Sequence, residues 1–176
     1  MNAWRNRILG LLVAALTFGA DRWIKAQVIG AWKLQEIDSI YVLPIFDLRF
    51  TPNYGVSLGM IPAQSPEMRW LLVALTAAIA ATVFVWMLRE KRFGDIFALS
   101  LVLGGALGNI RDRVFMGYVI DYADLHFGEF RPFLIFNLAD AAITIGVLII
   151  LARSFLLRDK RKAPAPDAAT DPALEN

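Results

Sequence analysis

The chain of 176 residues has no cysteine and one histidine, His126. Thiol nucleophiles, disulfide scaffolds, zinc ribbons and iron–sulfur sites are therefore excluded. A paired-histidine zinc motif is impossible, and a Ser–His–Asp site would have to run through His126 alone. Carboxylates remain as the groups available for acid–base work. Two carboxylates held close together cannot both ionise cheaply, so one keeps a proton. The ionised member can take a proton from water. The protonated member can hydrogen-bond to a peptide carbonyl and later help the amine leave. Such a pair hydrolyses an amide with no metal and no cofactor, and none is expected here.

The elements that must position such groups are apolar. Hydrophobic residues make up 57% and charged residues 19%, against about 45–50% and 25% in ordinary soluble domains. The excess sits in blocks. Ile8–Ala20 is an uncharged run of 13 residues, Trp70–Leu88 of 19 and Ile96–Ile110 of 15, while Phe133–Ala152 is interrupted mainly by Asn137 and Asp140. The second run spans about 28 Å as a helix, close to a bilayer's hydrocarbon core. The others reach that length by taking in flanking polar residues or, for the fourth, Asp140. The spacing predicts one integral-membrane unit over residues 1–158, with helices at about 6–25, 68–89, 94–113 and 134–156.

Arg5 and Arg7, then Arg89, Lys91 and Arg92, then Arg153 to Lys162 fall on one side of a four-helix topology, so both termini are expected to be cytoplasmic. A cleavable leader is the rival reading of Ile8–Ala20, with Phe18-Gly19-Ala20 as its cleavage site. The segment of about 27–66 reads as extracytoplasmic and β-rich, because Phe46, Leu48 and Phe50 alternate with Asp47 and Arg49. Tyr118–Pro132 reads as a second outside loop. Residues 159–176 read as a polar, disordered tail. A net charge of +2 is too mild to suggest nucleic acid as a partner.

Helix direction brings Asp21, Asn109, Arg113, Asp121, Asn137 and Asp140 to one depth, near the outer face. Each has a plainer reading. Asp21 and Lys25, four apart, suit a helix-terminal ion pair. Asp112 beside Arg111 and Arg113 suits an interfacial charge cluster. Asn109 with Gly104, Gly105 and Gly108 suits close helix packing. His126 suits an exposed loop, and Trp4, Trp23, Trp32 and Trp70 suit interfacial anchoring. Asp140 has the poorest plain reading, since an acid inside an apolar helix is functional by default. Proton transport would use it as readily as hydrolysis.

The segment Gly104-Gly105-Ala106-Leu107-Gly108-Asn109-Ile110-Arg111-Asp112-Arg113, continued by Gly117-Tyr118-Val119-Ile120-Asp121-Tyr122, closely resembles the signature of lipoprotein signal peptidases (signal peptidase II). Phe136-Asn137-Leu138-Ala139-Asp140-Ala141-Ala142-Ile143 is similar to that family's second motif, Asp21 to Lys25 to its first-helix segment, and Asn53-Tyr54-Gly55 to its N-x-G segment. The likeness covers roughly Asp21 to Ile143. It implies a membrane all-α bundle of four helices with a small extracytoplasmic sheet. It implies an aspartic endopeptidase that cleaves bacterial prolipoproteins just before a diacylglyceryl-modified cysteine, at the outer face of the inner membrane.

Asp121 and Asp140 are then the catalytic dyad. Asn109, Arg113 and Asn137 are supports or substrate contacts, Asn53 and Gly55 part of the wall over the site, and Asp21 and Lys25 structural support. Val56-Ser57-Leu58 departs from the family's Ala-Ala-Phe, and Tyr122 stands where Phe is usual. Partners expected on this basis are lipid-modified prolipoproteins and the bilayer, with the enzyme monomeric. The competing readings are a small proton-coupled transporter and a non-catalytic membrane scaffold.

Overall fold

The computed structural model describes residues 3–55 and 65–160, with side chains through 155. Val56, Ser57 and Leu58, and the tail beyond 160, lie outside the described residues. Among the described residues are four helices: α1 (Ala3–Ile29), α2 (Pro66–Arg89), α3 (Phe93–Met116) and α4 (Leu138–Lys160). Three strands accompany them: β1 (Ile40–Leu43), β2 (Phe46–Asn53) and β3 (Val119–Leu125).

Helix ends follow local chemistry. Ser65 caps α2, its Oγ accepting from Met68 N at 3.2 Å, with Pro66 in the first turn. α3 stops at Gly117, whose φ of 87° is open to glycine at little cost. α4 begins at Leu138, later than the apolar run suggests. Phe136 is held in a bridge to Ala123, so the preceding residues are extended.

The core runs along α3, which packs against α1, α2 and α4. Small residues permit this. A Cβ on Gly105 would run into the carbonyl oxygen of Ala139, and one on Gly108 would come within 2.5 Å of an Asp21 carboxylate oxygen. Helices α2, α3 and α4 (to Phe155) are long and apolar enough to cross a membrane. The outer two bury little of their apolar surface, leaving Leu75, Ile79, Leu148 and Leu151 among many exposed. A soluble monomer rarely exposes so much. The fold is mostly helical and membrane-type, with a small sheet. α1 carries Asp21, Arg22 and Lys25 in its C-terminal half, which sets it apart from the three apolar helices.

The sheet is antiparallel in the order β1-β2-β3. Phe46, Leu48 and Phe50 pack with Val28, Leu34 and Ile120, as the alternation along β2 requires. The expected loop at Tyr118–Pro132 differs from this. Its first part is β3, which pairs with β2 and is almost wholly buried. Burial on both faces removes the alternation by which a strand is read. His126 likewise differs from an exposed loop residue. Its side chain is 14% exposed, and Nε2 lies 3.3 Å from Asp47 Oδ2.

Candidate active site

Three asparagines hold two carboxylates. Asp121, on β3 and 2% exposed, accepts from Asn53 Nδ2 at 2.9 Å and from Asn137 Nδ2 at 2.6 Å, one at each oxygen. Asp140, half-buried at the start of α4, accepts from Asn109 Nδ2 at 2.7 Å and from the backbone N–H of Asn137 at 3.3 Å. Asn137 thus touches both carboxyl groups.

Each asparagine is oriented by a donor that claims its carbonyl oxygen. The Gly55 N–H donates to Asn53 at 2.8 Å, the Asp140 N–H to Asn137 at 2.9 Å, and Lys25 Nζ to Asn109 at 3.3 Å. An amide whose oxygen is taken must present its NH2 the other way, here to a carboxylate. The Asn137–Asp140 exchange is a reciprocal capping pair three residues apart, so the device that starts α4 also sets its acid.

The rest of that helix start is accounted for by site residues. Leu138 N donates to the Tyr122 hydroxyl at 3.2 Å, and Ala139 N to Asp21 Oδ1 at 3.1 Å. These are N–H groups that a helix leaves unpaired. Behind them Lys25, fully buried, sits 2.9 Å from Asp21 and 2.8 Å from Asp112. Its third polar neighbour is the Asn109 carbonyl oxygen, at 3.3 Å. Asp112 also pairs with Arg22 at 3.1 Å and accepts from Ile120 N at 3.4 Å. Asp112 is therefore a fully buried hub and not an interfacial cluster with Arg111 and Arg113. The signal was present: Asp112 lies three residues after Asn109, on the same helix face.

Arg113 also lies near the acids. Its charge interacts with Asp140, Asp121 and Asp112, and its Nε is buried with no hydrogen-bond partner among the described residues. Burial is the main cause that pushes Asp121 up to about 6. The charge of Asp140 adds to the rise, and the amides of Asn53 and Asn137 oppose it. Among the described residues, no group of three or more His, Asp or Glu is placed to hold a metal ion.

Two clefts open on the pair. A polar one of about 730 Å³ contains Asp121, Asn53, Thr51, Arg49 and Arg131. An apolar one of about 340 Å³ contains Asp140, Ala141, Ile145, Leu125 and Phe136. Phe133 and Leu134 line both. Sequence reasoning missed Arg49, Thr51 and Arg131 as cleft residues. Pairing of β2 with β3, which no local pattern encodes, brings Arg49 and Thr51 there, and the segment after β3 adds Arg131.

Residues 13–156 match the family described as Signal peptidase (SPase) II. The chain belongs to the signal peptidase II family. A protein of Rhizorhabdus wittichii named lipoprotein signal peptidase is 52% identical over 91% of this chain and 92% of its own length. One of Sphingopyxis alaskensis with the same name is 50% identical over 86% of this chain and 87% of its own. A solved structure described as a bacterial membrane enzyme matches with a TM-score of 0.71 at 30% identity, covering 86% of this chain and 94% of that one. Another with that description matches at 0.70 and 25% identity, covering 90% and 93%. As a signal peptidase II the chain is a hydrolase, and the resemblance of its motifs to that family is accounted for.

Proposed function

We propose that Asp121 and Asp140 are the acid–base pair with which this signal peptidase II cleaves the signal peptide from lipoprotein precursors. One observation carries the assignment. Asn137 donates its side-chain amide to Asp121 and its backbone N–H to Asp140, so a single residue ties the two acids together.

The chemistry follows from the pair sharing one proton. Burial pushes Asp121 up to about 6, which favours a proton on its carboxyl group. Its carboxyl group then donates a hydrogen bond to the scissile carbonyl. Asp140 as carboxylate takes a proton from water, and the water oxygen bonds to the carbonyl carbon. Collapse of the tetrahedral intermediate breaks the C–N bond, with the proton passing to the departing amine. The products are a signal peptide with a new carboxylate and a mature chain with a free amino group. Arg113, whose Nε is buried with no hydrogen-bond partner among the described residues, supports the pair through its charge. Lys25 and Asp21 act through Asn109 and the start of α4.

The apolar cleft at Asp140 suits the diacylglyceryl chains and the apolar signal peptide, and the more polar cleft at Asp121 suits the residues after the cysteine. With α1 as a fourth span, both termini would be cytoplasmic and the site would face the outer leaflet of the bacterial inner membrane. Burial of Asp21 and Lys25 as a pair keeps their charges out of lipid and supports that reading. The unit is proposed to act as a monomer, with residues 1–158 as its membrane domain.

Asp121→Asn and Asp140→Asn should each lower cleavage of a diacylglyceryl-modified prolipoprotein by about 10²–10⁴-fold, the usual share of a general acid or base. Purified variants in detergent would be assayed alongside wild type for cleavage and for thermal unfolding. Full activity in both folded variants would sink the assignment.

A further inference from the structure

β2 presents Arg49, Thr51 and Asn53 to the polar cleft, while Phe46, Leu48 and Phe50 pack the core. Asn53 binds Asp121, and Thr51 is its partner in the strand register. Arg49 lies two residues further along, beyond the irregularity in the β2–β3 ladder between Leu48 and Thr51, and lines the same cleft as Asp121. An extended peptide in that cleft reaches from Asp121 to Arg49 within its next few residues. A substrate with its scissile bond at Asp121 therefore sets a neighbouring side chain opposite Arg49.

The two cations of the cleft are held differently. Arg131 has its Nε 3.2 Å from both oxygens of Asp124, an acid only 1% exposed. Arg49 is paired at 3.2 Å with Asp38, whose side chain is 88% exposed, and its own Nε is buried without a hydrogen-bond partner among the described residues. A pair with so exposed a partner is weak and exchangeable. Neither Asp38 nor Asp124 lines the cleft, where the carboxylate among the described residues is Asp121.

We propose that Arg49 is a specificity residue that reads a carboxylate side chain in the first residues after the lipid-modified cysteine, exchanging Asp38 for it. The mature side is the one assigned because the signal peptide and the lipid are apolar and belong with the apolar cleft at Asp140. This rests on the peptidase reading of Asp121.

The test compares diacylglyceryl-modified substrates with Asp or Ala at the second and third positions after the cysteine, in neutral detergent. Wild type should favour the acidic substrate in kcat/KM by about threefold to tenfold, falling with added salt. Arg49→Gln should bring the ratio to about one. Asp38→Asn, which removes the competing acid at an exposed site, should raise it. Equal handling of the two substrates by wild type, or a preference that survives in R49Q, would overturn the proposal and leave the peptidase reading intact. Anionic phospholipid that raises cleavage of both substrates alike in wild type and not in R49Q would assign Arg49 to a lipid headgroup and also overturn it. Cleavage of neither substrate by wild type would overturn both readings.

Discussion

At the scale of single residues, the site depends on which way three side-chain amides face. Asn53, Asn109 and Asn137 each have the oxygen claimed by a donor, so each NH2 meets a carboxylate. The hydrogen bond from Asn53 holds Asp121 lower than burial alone would. Asn53→Ala removes it, so the Asp121 pKa should rise above its value of about 6. The pair must keep one proton to work, and it loses that proton as pH rises. The alkaline limb of kcat against pH should therefore move upward in this variant by about half a unit to one unit, with the rate at the optimum reduced. A limb that stays in place or moves down would contradict the role given to Asn53. Asn109 and Asn137 were legible from sequence because few polar residues interrupt the apolar blocks, and Asn53 through its likeness to the family's N-x-G segment. Gly55 and Asp140 orient Asn53 and Asn137 from two and three residues away, but the donor that orients Asn109, Lys25, comes from another helix, and the carboxylates that all three amides meet are set by tertiary packing.

At the scale of elements, the start of α4 is the joint on which the site turns. Its N–H groups go to Asp140, Tyr122, Asp21 and Asn137, which come from three elements and the cap itself. Tyr122→Phe keeps the ring and leaves the Leu138 N–H unpaired in a buried setting. It should cost about 1–3 kcal/mol in unfolding measurements and lower kcat more than it raises KM. The same joint lies against α3 at Gly105. A Cβ there meets the Ala139 backbone, which has no flexible end to swing away. Gly105→Ala should destabilise by about 1–3 kcal/mol and shift Asp140, so activity should fall with stability. A variant of wild-type Tm and rate would mean that α3 and α4 do not approach this closely. The glycines were visible in sequence as packing or as signature. That one of them abuts the residue before Asp140 is a matter of helix register.

At the scale of the whole molecule, the absence of cysteine makes topology directly testable. Single-cysteine variants can be labelled without background. Glu36→Cys, in the exposed segment between α1 and β1, should react with a membrane-impermeant maleimide on intact spheroplasts. Lys91→Cys, exposed in the α2–α3 turn, should react only after permeabilisation, and Leu75→Cys on the bare face of α2 should stay unreactive in the bilayer. Labelling of position 91 in intact spheroplasts would invert the proposed orientation and with it the outward-facing site.

By itself the sequence determined the apolar blocks, the residue types at the site, the alternation along β2 and the signatures that the family match bears out. These are local properties, carried by hydropathy over a helix length or by spacing along one strand. Tertiary structure decided what no local window contains. β3 is buried on both faces, so its sequence shows no period, and only pairing with β2 brings Asp121 to Asn53. Asp112 changed from a surface charge to a buried hub because Lys25 and Arg22 on another helix neutralise it. Long-range partners determine whether a charge can be buried, and they exist only once α1, α3 and α4 are packed.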